Sequence, residues 1–147
     1  MIGRVEMTDV QTIELTPAIR EKMIAEALEA QASAYCPYSN FAVGAAVLTC
    51  NGLIFRGCNV ENASYGLTIC AERNAIAAAV SAGQLNLIAV VVVTNSPKPA
   101  RPCGACRQVI SEFSIADSPT IIVSISKTGE GVEENINTLL PAQFNLL

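Results

Sequence analysis

The chain has 147 residues, about the size of one domain, and 51% of them are apolar, which is enough for a hydrophobic core without disulfide bridges. Its formal net charge is −4 and its basic residues form no cluster, so it is a poor candidate for a nucleic-acid-binding protein. It contains no histidine, which excludes Ser-His-Asp and Cys-His catalysis, histidine general bases and zinc sites with histidine ligands.

The N-terminal segment has no apolar stretch of the kind found in signal peptides, and no apolar run has the length of a membrane span. We therefore expect a cytoplasmic protein. Thiols stay reduced in the cytosol, so closely spaced cysteines there bind metals or act chemically more often than they form disulfides.

The first predicted helix begins at Thr16, a typical N-cap residue, with Pro17 at the first helical position, and extends to about Ala34. Residues 1–15 are predicted to be an N-terminal extension, and residues 16–147 a single domain. The apolar residues that recur at helical spacing are Ile19, Met23, Ala27 and Leu28.

A β-hairpin and a second helix follow. The apolar segments 42–49 and 53–58 flank Asn51-Gly52, a dipeptide typical of tight hairpin turns. After a turn-rich connection, an alanine-rich helix is predicted at 70–82 and ends before Gly83.

The run at 87–93 is apolar without alternation, which is typical of a central strand covered on both faces. After a loop with three prolines, a third helix is predicted near Cys103, followed by a strand at 120–126. This strand–helix–strand order predicts a right-handed crossover and a parallel strand pair. Residues 139–144 are predicted to form a short helix or tail. We expect a three-layer α/β/α fold with a mixed five-stranded sheet.

Three cysteines lie where predicted helices begin: Cys70 at the second helix, and Cys103 and Cys106 at the third. Both helices are predicted to begin at the same edge of the sheet, so their N-termini can converge. The partial positive charge of a helix N-terminus favours thiolate over thiol. Three thiolates would leave the fourth position of a tetrahedral Zn²⁺ open for water, as in catalytic zinc sites.

Glu72 follows Cys70 by two residues and can reach this open position. Zn²⁺ lowers the pKa of bound water to roughly 7, and an adjacent carboxylate can take its proton and pass it to a leaving group. Three thiolates and one Zn²⁺ together carry a net negative charge. The two helix dipoles and the neighbouring Arg73 are expected to offset this charge at the sulfur atoms.

The paired motifs are CAER at 70–73 and PCGACRQ at 102–108. They resemble the Cys-x-Glu and Pro-Cys-x-x-Cys motifs of zinc-dependent deaminases. Further matching segments are YSNFAVGAAV, NVENASYGLTI and LLPAQF. From about Thr16 to Phe144, the chain resembles the cytidine deaminases of the short, homotetrameric kind.

The resemblance implies a cytidine deaminase-like fold and the deamination of cytidine and 2′-deoxycytidine to uridine and 2′-deoxyuridine, with release of ammonia, in pyrimidine salvage. It implies one Zn²⁺ per chain, with Glu72 moving the protons. Arg73 and Gln108 are then expected to brace the zinc ligands. The implied ligands are Cys70, Cys103 and Cys106.

The resemblance also implies the residues that contact a nucleoside. Tyr65 and Phe144 are expected to complete the pocket of a neighbouring subunit in a homotetramer. Asn59 and Glu61 are two residues apart, so their side chains face the same way on an extended segment. The implied contacts are Phe41 to the pyrimidine, Asn59 and Glu61 to the ribose hydroxyls, and the Ala71 backbone to the base.

Some positions depart from the pattern of this family. Arg101 precedes the Pro-Cys motif where a small residue is common, and Asn74 stands where threonine is common. We expect Arg101 to alter the charge at the mouth of the pocket. The extension at 1–15 has no clear counterpart.

Simpler interpretations exist for these residues. Cys103 and Cys106 could be a redox pair at a helix N-terminus, although this leaves Cys70 and Glu72 unexplained. Glu61 alone is typical of a solvated loop, and the aromatic residues Phe41, Phe144 and Tyr65 are typical of a core. Buried apolar positions are predicted for Cys36, Cys50 and Cys58.

Three other functions remain open at this point. A polynucleotide-editing enzyme could share the motif, although the chain has no basic cluster to bind a nucleic acid. A related deaminase could act on another aminopyrimidine, such as a blasticidin-type antibiotic, although Asn59 and Glu61 suit a ribose. A non-catalytic zinc module would instead close the metal with a fourth protein ligand, Cys36 or Cys58.

Overall fold

The structure is a computed structural model that describes residues 13–146. The predicted extension lies mostly outside the described residues, but Ile13 and Leu15 pack against the core. The elements in chain order are α1 (Pro17–Gln31), β1 (Val43–Thr49), β2 (Ile54–Cys58), a 3-10 turn (Tyr65–Leu67), α2 (Ala71–Ser81), β3 (Leu87–Thr94), α3 (Gly104–Glu112), β4 (Ile121–Ile125), β5 (Gly131–Asn135) and α4 (Ile136–Leu139).

The strands form one mixed five-stranded sheet in the order β2-β1-β3-β4-β5, which confirms the predicted sheet. β1 runs antiparallel to both β2 and β3, and β5 runs antiparallel to β4. β3 and β4 are parallel and are joined through α3, as the strand–helix–strand pattern predicts. β3 is buried along its whole length at the centre of the sheet.

Two apolar cores cover the two faces of the sheet. On one face, α1 contributes Met23 and Ala27. On the other, α2 contributes Ile76, α3 contributes Ile110 and α4 contributes Ile136. The layers are therefore helix, sheet and helix, as expected.

The start of α1 is as predicted, but its end and its buried face differ. The Thr16 hydroxyl accepts a hydrogen bond from the Ile19 N–H at 3.3 Å, so Thr16 is the N-cap. The helix ends at Gln31 rather than near Ala34. Leu28 is 51% exposed, so it does not belong to the buried face of the helix although it satisfies the helical spacing. The residues that α1 buries are spaced by four and three positions, and Leu28 lies outside that stripe; they are Met23, Ala27 and Ala30.

The predicted turn and helix stop both rest on glycines with positive φ. Gly52 closes the β1–β2 hairpin with φ +79°, and Gly83 follows α2 with the same value. Residues with a Cβ rarely adopt this conformation, so the glycine of Asn51-Gly52 permits the tight turn.

Another glycine, Gly57 of β2, allows α2 to approach the sheet closely. A Cβ on Gly57 of β2 would lie 2.4 Å from the Ala75 nitrogen and 2.7 Å from the Ala71 oxygen. The first turns of α2 therefore pack directly on the backbone of β2. This contact fixes where α2 begins relative to the sheet.

The C-terminal third agrees with the expectation in part. Residues 139–144, predicted as a short helix or tail, form a tail, because the short helix α4 ends at Leu139. β5, which the sequence analysis did not place, forms the edge of the sheet and alternates between exposed and half-buried residues. Its Glu133 pairs with Arg20 of α1 at 2.7 Å, and its Glu134 pairs with Arg101 at 2.6 Å.

The three remaining cysteines are buried to different degrees. Cys50 is buried as predicted, whereas Cys36 and Cys58 are only partly buried, so their prediction as core residues is wrong. Cys58 lies at the end of β2, where its thiol donates to the Ser33 carbonyl. Within residues 13–146, no helix is long and apolar enough to cross a bilayer.

Candidate active site

Three cysteine sulfurs converge where α2 and α3 begin. Cys70 and Cys103 are the N-cap residues of these helices, and their sulfur atoms lie 3.8 Å apart. Cys106 lies in the first turn of α3 and is fully buried. All three sulfurs lie within 4.8 Å of one another, so the predicted convergence is confirmed.

The chemistry of this group fits a soft divalent metal. Thiolates are preferred ligands of Zn²⁺, and two helix N-termini offset part of their negative charge. Hydrogen bonds from Cys106 and from Arg73 lower the pKa of Cys70 to about 5. The hydrogen bond to Cys70 and burial raise the pKa of Cys106.

Arg73 lies beside the sulfurs, as expected. Its Nη2 donates to the Cys70 sulfur at 3.6 Å and to the Thr68 carbonyl at 3.2 Å. Its Nε is buried and has no hydrogen-bond partner among the described residues. An unused buried donor next to the cluster is consistent with an anionic metal–thiolate group at this position.

The cluster contains three candidate ligands. Within residues 13–146, the only group of cysteine and acidic side chains arranged for a metal is Cys70, Cys103 and Cys106. Cys36 and Cys58 are not members of it, which argues against a zinc module closed by either of them.

Glu72 is the second residue of α2 and lies in the wall of a cavity of about 470 Å³ that Cys70 and Cys103 also line. The side chain of Glu72 is only 4% exposed. Burial raises its pKa above that of a solvated glutamate. A carboxyl group that can hold a proton therefore lies in the same cavity as the cysteines.

The same cavity contains the residues predicted to contact a nucleoside. Phe41, Asn59, Glu61 and Ala71 all line it. The segment carrying Asn59 and Glu61 continues beyond β2 as extended chain, held by bridges from Val60 to Tyr35 and Ile69. Two residues that are two positions apart on an extended segment therefore line one cavity.

Asn59 already has a structural task. Its Oδ1 accepts from the Val43 N–H at 2.9 Å, and its Nδ2 donates to the Phe41 carbonyl at 2.8 Å. The amide therefore fixes the backbone on both sides of Ala42. One amide proton and one lone pair remain for a ligand.

Glu61 is held by a residue that the sequence analysis did not select. Its Oε2 accepts from the backbone N–H groups of Tyr38 at 2.9 Å and Ser39 at 3.3 Å, and its Oε1 accepts from the Ser39 hydroxyl. The Ser39 hydroxyl bond and the two backbone bonds lower the pKa of Glu61. The contact of Ser39 with Glu61 could not be predicted from a local sequence pattern, because the two residues are 22 positions apart.

Three other predicted residues do not line this cavity. Tyr65 is 75% exposed and lines a smaller cavity that shares Ser39 and Glu61 with it, and Phe144 is 67% exposed. The Gln108 amide donates to the Phe144 carbonyl at 3.1 Å, which places it against the C-terminal segment. A bracing role for Gln108 at the metal ligands stays a prediction.

Two arginines frame the loop that carries Cys103. Arg101 lines the cavity, and its Nε donates to Glu134 at 2.6 Å, so β5 partly neutralises its charge. Arg107, which the sequence analysis did not select, donates to the Pro102 and Leu139 carbonyls, both at 2.8 Å. It ties the end of the proline-rich loop to α4.

Comparison with known proteins agrees with this geometry. The family model described as "Cytidine and deoxycytidylate deaminase zinc-binding region" matches residues 17–122, which include both cysteine motifs and Glu72. The chain belongs to this deaminase family. Its cofactor is accordingly Zn²⁺, for which the three-cysteine group provides a suitable donor set.

Individual members of the deaminase family are similar over most of their length. A cytidine deaminase of Halalkalibacterium halodurans is 46% identical over 85% of this chain and 93% of its own. The crystal structure of a cytidine deaminase from Burkholderia pseudomallei is 44% identical, with a TM-score of 0.79 over 84% of this chain and 98% of that one. A blasticidin-S deaminase of Bacillus cereus is 34% identical over 69% of this chain and 76% of its own.

Proposed function

We propose that this chain catalyses the hydrolytic deamination of cytidine and 2′-deoxycytidine to uridine and 2′-deoxyuridine, with release of ammonia. The observation that carries this proposal is the presence of the sulfur cluster, Glu72 and the Asn59–Glu61 segment at one cavity. The similarity to cytidine deaminases over 85% of the chain supports it.

We assign the zinc ion to Cys70, Cys103 and Cys106. Zn²⁺ held there would act as a Lewis acid that lowers the pKa of a water molecule to roughly 7. The hydrogen bond from Arg73 to the Cys70 sulfur offsets part of the negative charge of the three thiolates. The Lewis acidity of a bound Zn²⁺ would therefore be weakened less by its ligands.

Glu72 is assigned as the proton carrier. It accepts a proton from the attacking water and delivers a proton to N3 of the pyrimidine as the water oxygen adds to C4. It then takes the proton of the new C4 hydroxyl and gives it to the amino group, so that the C4 carbonyl forms as ammonia leaves. Burial in the cavity wall keeps this carboxyl away from bulk water, so the same carboxyl can carry the two protons in turn.

Other residues that line the same cavity orient the nucleoside. We assign Phe41 to the face or edge of the pyrimidine ring and the backbone of Ala71 to its amide edge. Asn59 and Glu61 contact the ribose hydroxyls. Both have acceptor capacity left after their contacts within the chain, as ribose binding requires.

We assign Tyr65 and Phe144 to contacts between subunits of a homotetramer, where they complete the cavity of a neighbour. Their exposure supports this role, because large apolar side chains that cover no part of their own core mark interaction surfaces. Static light scattering should then give four times the 15.4 kDa mass of the chain. Loss of the tetramer in Phe144→Ala, with its zinc retained, would support the assignment.

We place the enzyme in the cytoplasm and in pyrimidine salvage. We assign residues 16–147 to a single domain and residues 1–15 to an extension. Its reduced, zinc-binding thiols support an intracellular location.

A second candidate substrate is a blasticidin-type aminopyrimidine. The similarity to the Bacillus cereus blasticidin-S deaminase favours considering it. The carboxylate of Glu61 and the amide of Asn59 favour a ribose instead.

The deciding experiment is an ultraviolet absorbance assay of the purified zinc-loaded protein. Cytidine, 2′-deoxycytidine, cytosine and blasticidin S are compared at equal concentration, with and without a chelator. We expect turnover of both nucleosides, little with the free base or the antibiotic, and loss of activity on chelation. A preference for blasticidin S would replace the proposed substrate, and activity that survives complete zinc removal would contradict the mechanism.

A further inference from the structure

Ser39 forms a hydrogen-bond relay between the two ends of the nucleoside contact surface. It lies in the turn that follows α1, and it lines the same cavity as Phe41 and Glu61. Its hydroxyl donates to Glu61 Oε1 and accepts from the Phe41 N–H at 3.0 Å. One hydroxyl therefore links the residue assigned to the base with the residue assigned to the ribose.

The hydrogen-bond capacity of Glu61 shows what this link does. A carboxylate can accept about four hydrogen bonds, two on each oxygen. The two backbone N–H groups of Tyr38 and Ser39 use the capacity of Oε2. On Oε1, the Ser39 hydroxyl leaves one acceptor position.

The geometry points to Ser39 as a positioning residue that orients Glu61 so that the last acceptor position on Oε1 meets a ribose hydroxyl. This inference rests on the proposed function, which supplies the ribose. Ser39 itself is not assigned a contact with the reacting atoms. It acts through Glu61, and it fixes Phe41 relative to that carboxylate.

The side chain and the backbone of Ser39 can be separated experimentally. Replacement by alanine removes the hydroxyl, but both backbone N–H donors to Oε2 remain. The Glu61 carboxylate then keeps its two hydrogen bonds at Oε2 and loses the hydrogen bond that orients Oε1. A loss of substrate binding in this variant therefore reports on the hydroxyl alone.

The test is a double-mutant cycle of the zinc-loaded enzyme with cytidine: wild type, Ser39→Ala, Glu61→Ala and the double variant. For Ser39→Ala we expect KM to rise roughly tenfold, the loss typical of one hydrogen bond to a charged group, and kcat to change less than about twofold. In the Glu61→Ala background, the same serine substitution should cause a clearly smaller loss of kcat/KM than in wild type, because the carboxylate partner is already absent and only the hydrogen bond from the Phe41 N–H remains to be lost.

Two controls accompany the cycle. Ser39→Thr keeps a hydroxyl and should restore KM to within about threefold of wild type. Ser33→Ala, an exposed serine outside the cavity lining, should leave KM unchanged. Zinc content and thermal midpoint are measured for every variant to confirm folding.

The outcomes are distinct. An equal loss of kcat/KM in both backgrounds would show that Ser39 only supports the turn, and would overturn the inference. An unchanged KM in Ser39→Ala would also overturn the inference. The proposed function would still stand in that case, provided that the wild-type protein turns over cytidine. A wild-type protein that does not deaminate cytidine would overturn both.

Discussion

Cys70 and Cys103 are 33 residues apart in sequence, and their sulfur atoms are 3.8 Å apart because each caps a helix that begins at the same end of the central strands. Cys106 joins them from the first turn of the second of these helices. The strand order therefore determines the metal site, because it brings the loop before α2 and the loop before α3 to the same end of the sheet.

The substitution Glu72→Gln separates metal binding from proton transfer. We expect the variant to keep its zinc and to lose about 10²- to 10⁴-fold in kcat, because an amide cannot carry the proton. Inductively coupled plasma mass spectrometry gives the zinc content, and cytidine absorbance gives kcat. Glu130→Gln, at an exposed turn, serves as the matched control. Normal turnover in Glu72→Gln would refute the assigned mechanism.

The cysteine assignment predicts a different pattern. The wild-type protein should contain about one zinc per chain, and Cys106→Ser should lose most of it, because serine is a poor zinc ligand at neutral pH. Cys36→Ser removes a half-buried thiol outside the cluster and should keep the metal. Equal zinc in both variants would mean that the ligands were assigned wrongly.

Gly57 is predicted to control the position of α2. A methyl group there would overlap the backbone of Ala71 and Ala75, so Gly57→Ala should lower the free energy of unfolding by about 1–3 kcal/mol. Because the displaced turn carries Glu72, kcat should fall as well. Urea denaturation measures the first effect. The comparison variant is Gly104→Ala, whose added Cβ would meet no atom within 4 Å, and a similar loss in both would remove the steric explanation.

The Glu61 carboxyl should titrate below its ordinary value of 4.5, because the Ser39 hydroxyl and two backbone N–H groups stabilise its charged form. A lowered folded-state pKa contributes stability above the ordinary value, and this contribution is lost as the pH falls through the lowered pKa. Carbon-13 NMR of labelled glutamate gives the midpoint, assigned through Glu61→Gln. In Ser39→Ala the midpoint should move upward, and a midpoint above 4.5 in the wild type would contradict the hydrogen-bond pattern.

The ion pair of Arg101 with Glu134 should contribute little to stability despite its short distance. Arg101 is 45% exposed, and water screens such a pair, so Arg101→Ala should lower the unfolding free energy by less than about 1 kcal/mol. Glu134→Gln should have a similar effect. The double variant should be no less stable than the less stable of the two single variants. A coupling energy well above about 1 kcal/mol would indicate a pair that is more buried than described.

The features that sequence alone predicted are those set by local chemistry. Thr16 caps α1, Gly52 permits the hairpin turn, and β3 is uniformly apolar because both of its faces are covered. The cysteine cluster could be predicted as well, because α2 and α3 follow β2 and β3, which both run antiparallel to the intervening β1 and therefore end at the same edge of the sheet.

The features that sequence did not reveal depend on distant contacts. β5 is a short edge strand with only half-buried apolar positions, so its pattern is weak. Leu28 satisfies helical spacing, yet the close approach of α1 to Gly44 selects a neighbouring stripe of residues. The link from Ser39 to Glu61 crosses 22 residues and leaves no periodic trace.

The outermost strand β5 carries Glu133 and Glu134 at successive positions, which point to opposite faces of the sheet. Arg20 of α1 pairs with the first and Arg101 of the loop before α3 with the second, so an ion pair lies on each side of the open edge. Charged side chains along an edge strand disfavour pairing with a strand of another molecule, because the charged groups would lose water on contact. We therefore expect β5 to resist edge-to-edge association, although half of the residues of the chain are apolar.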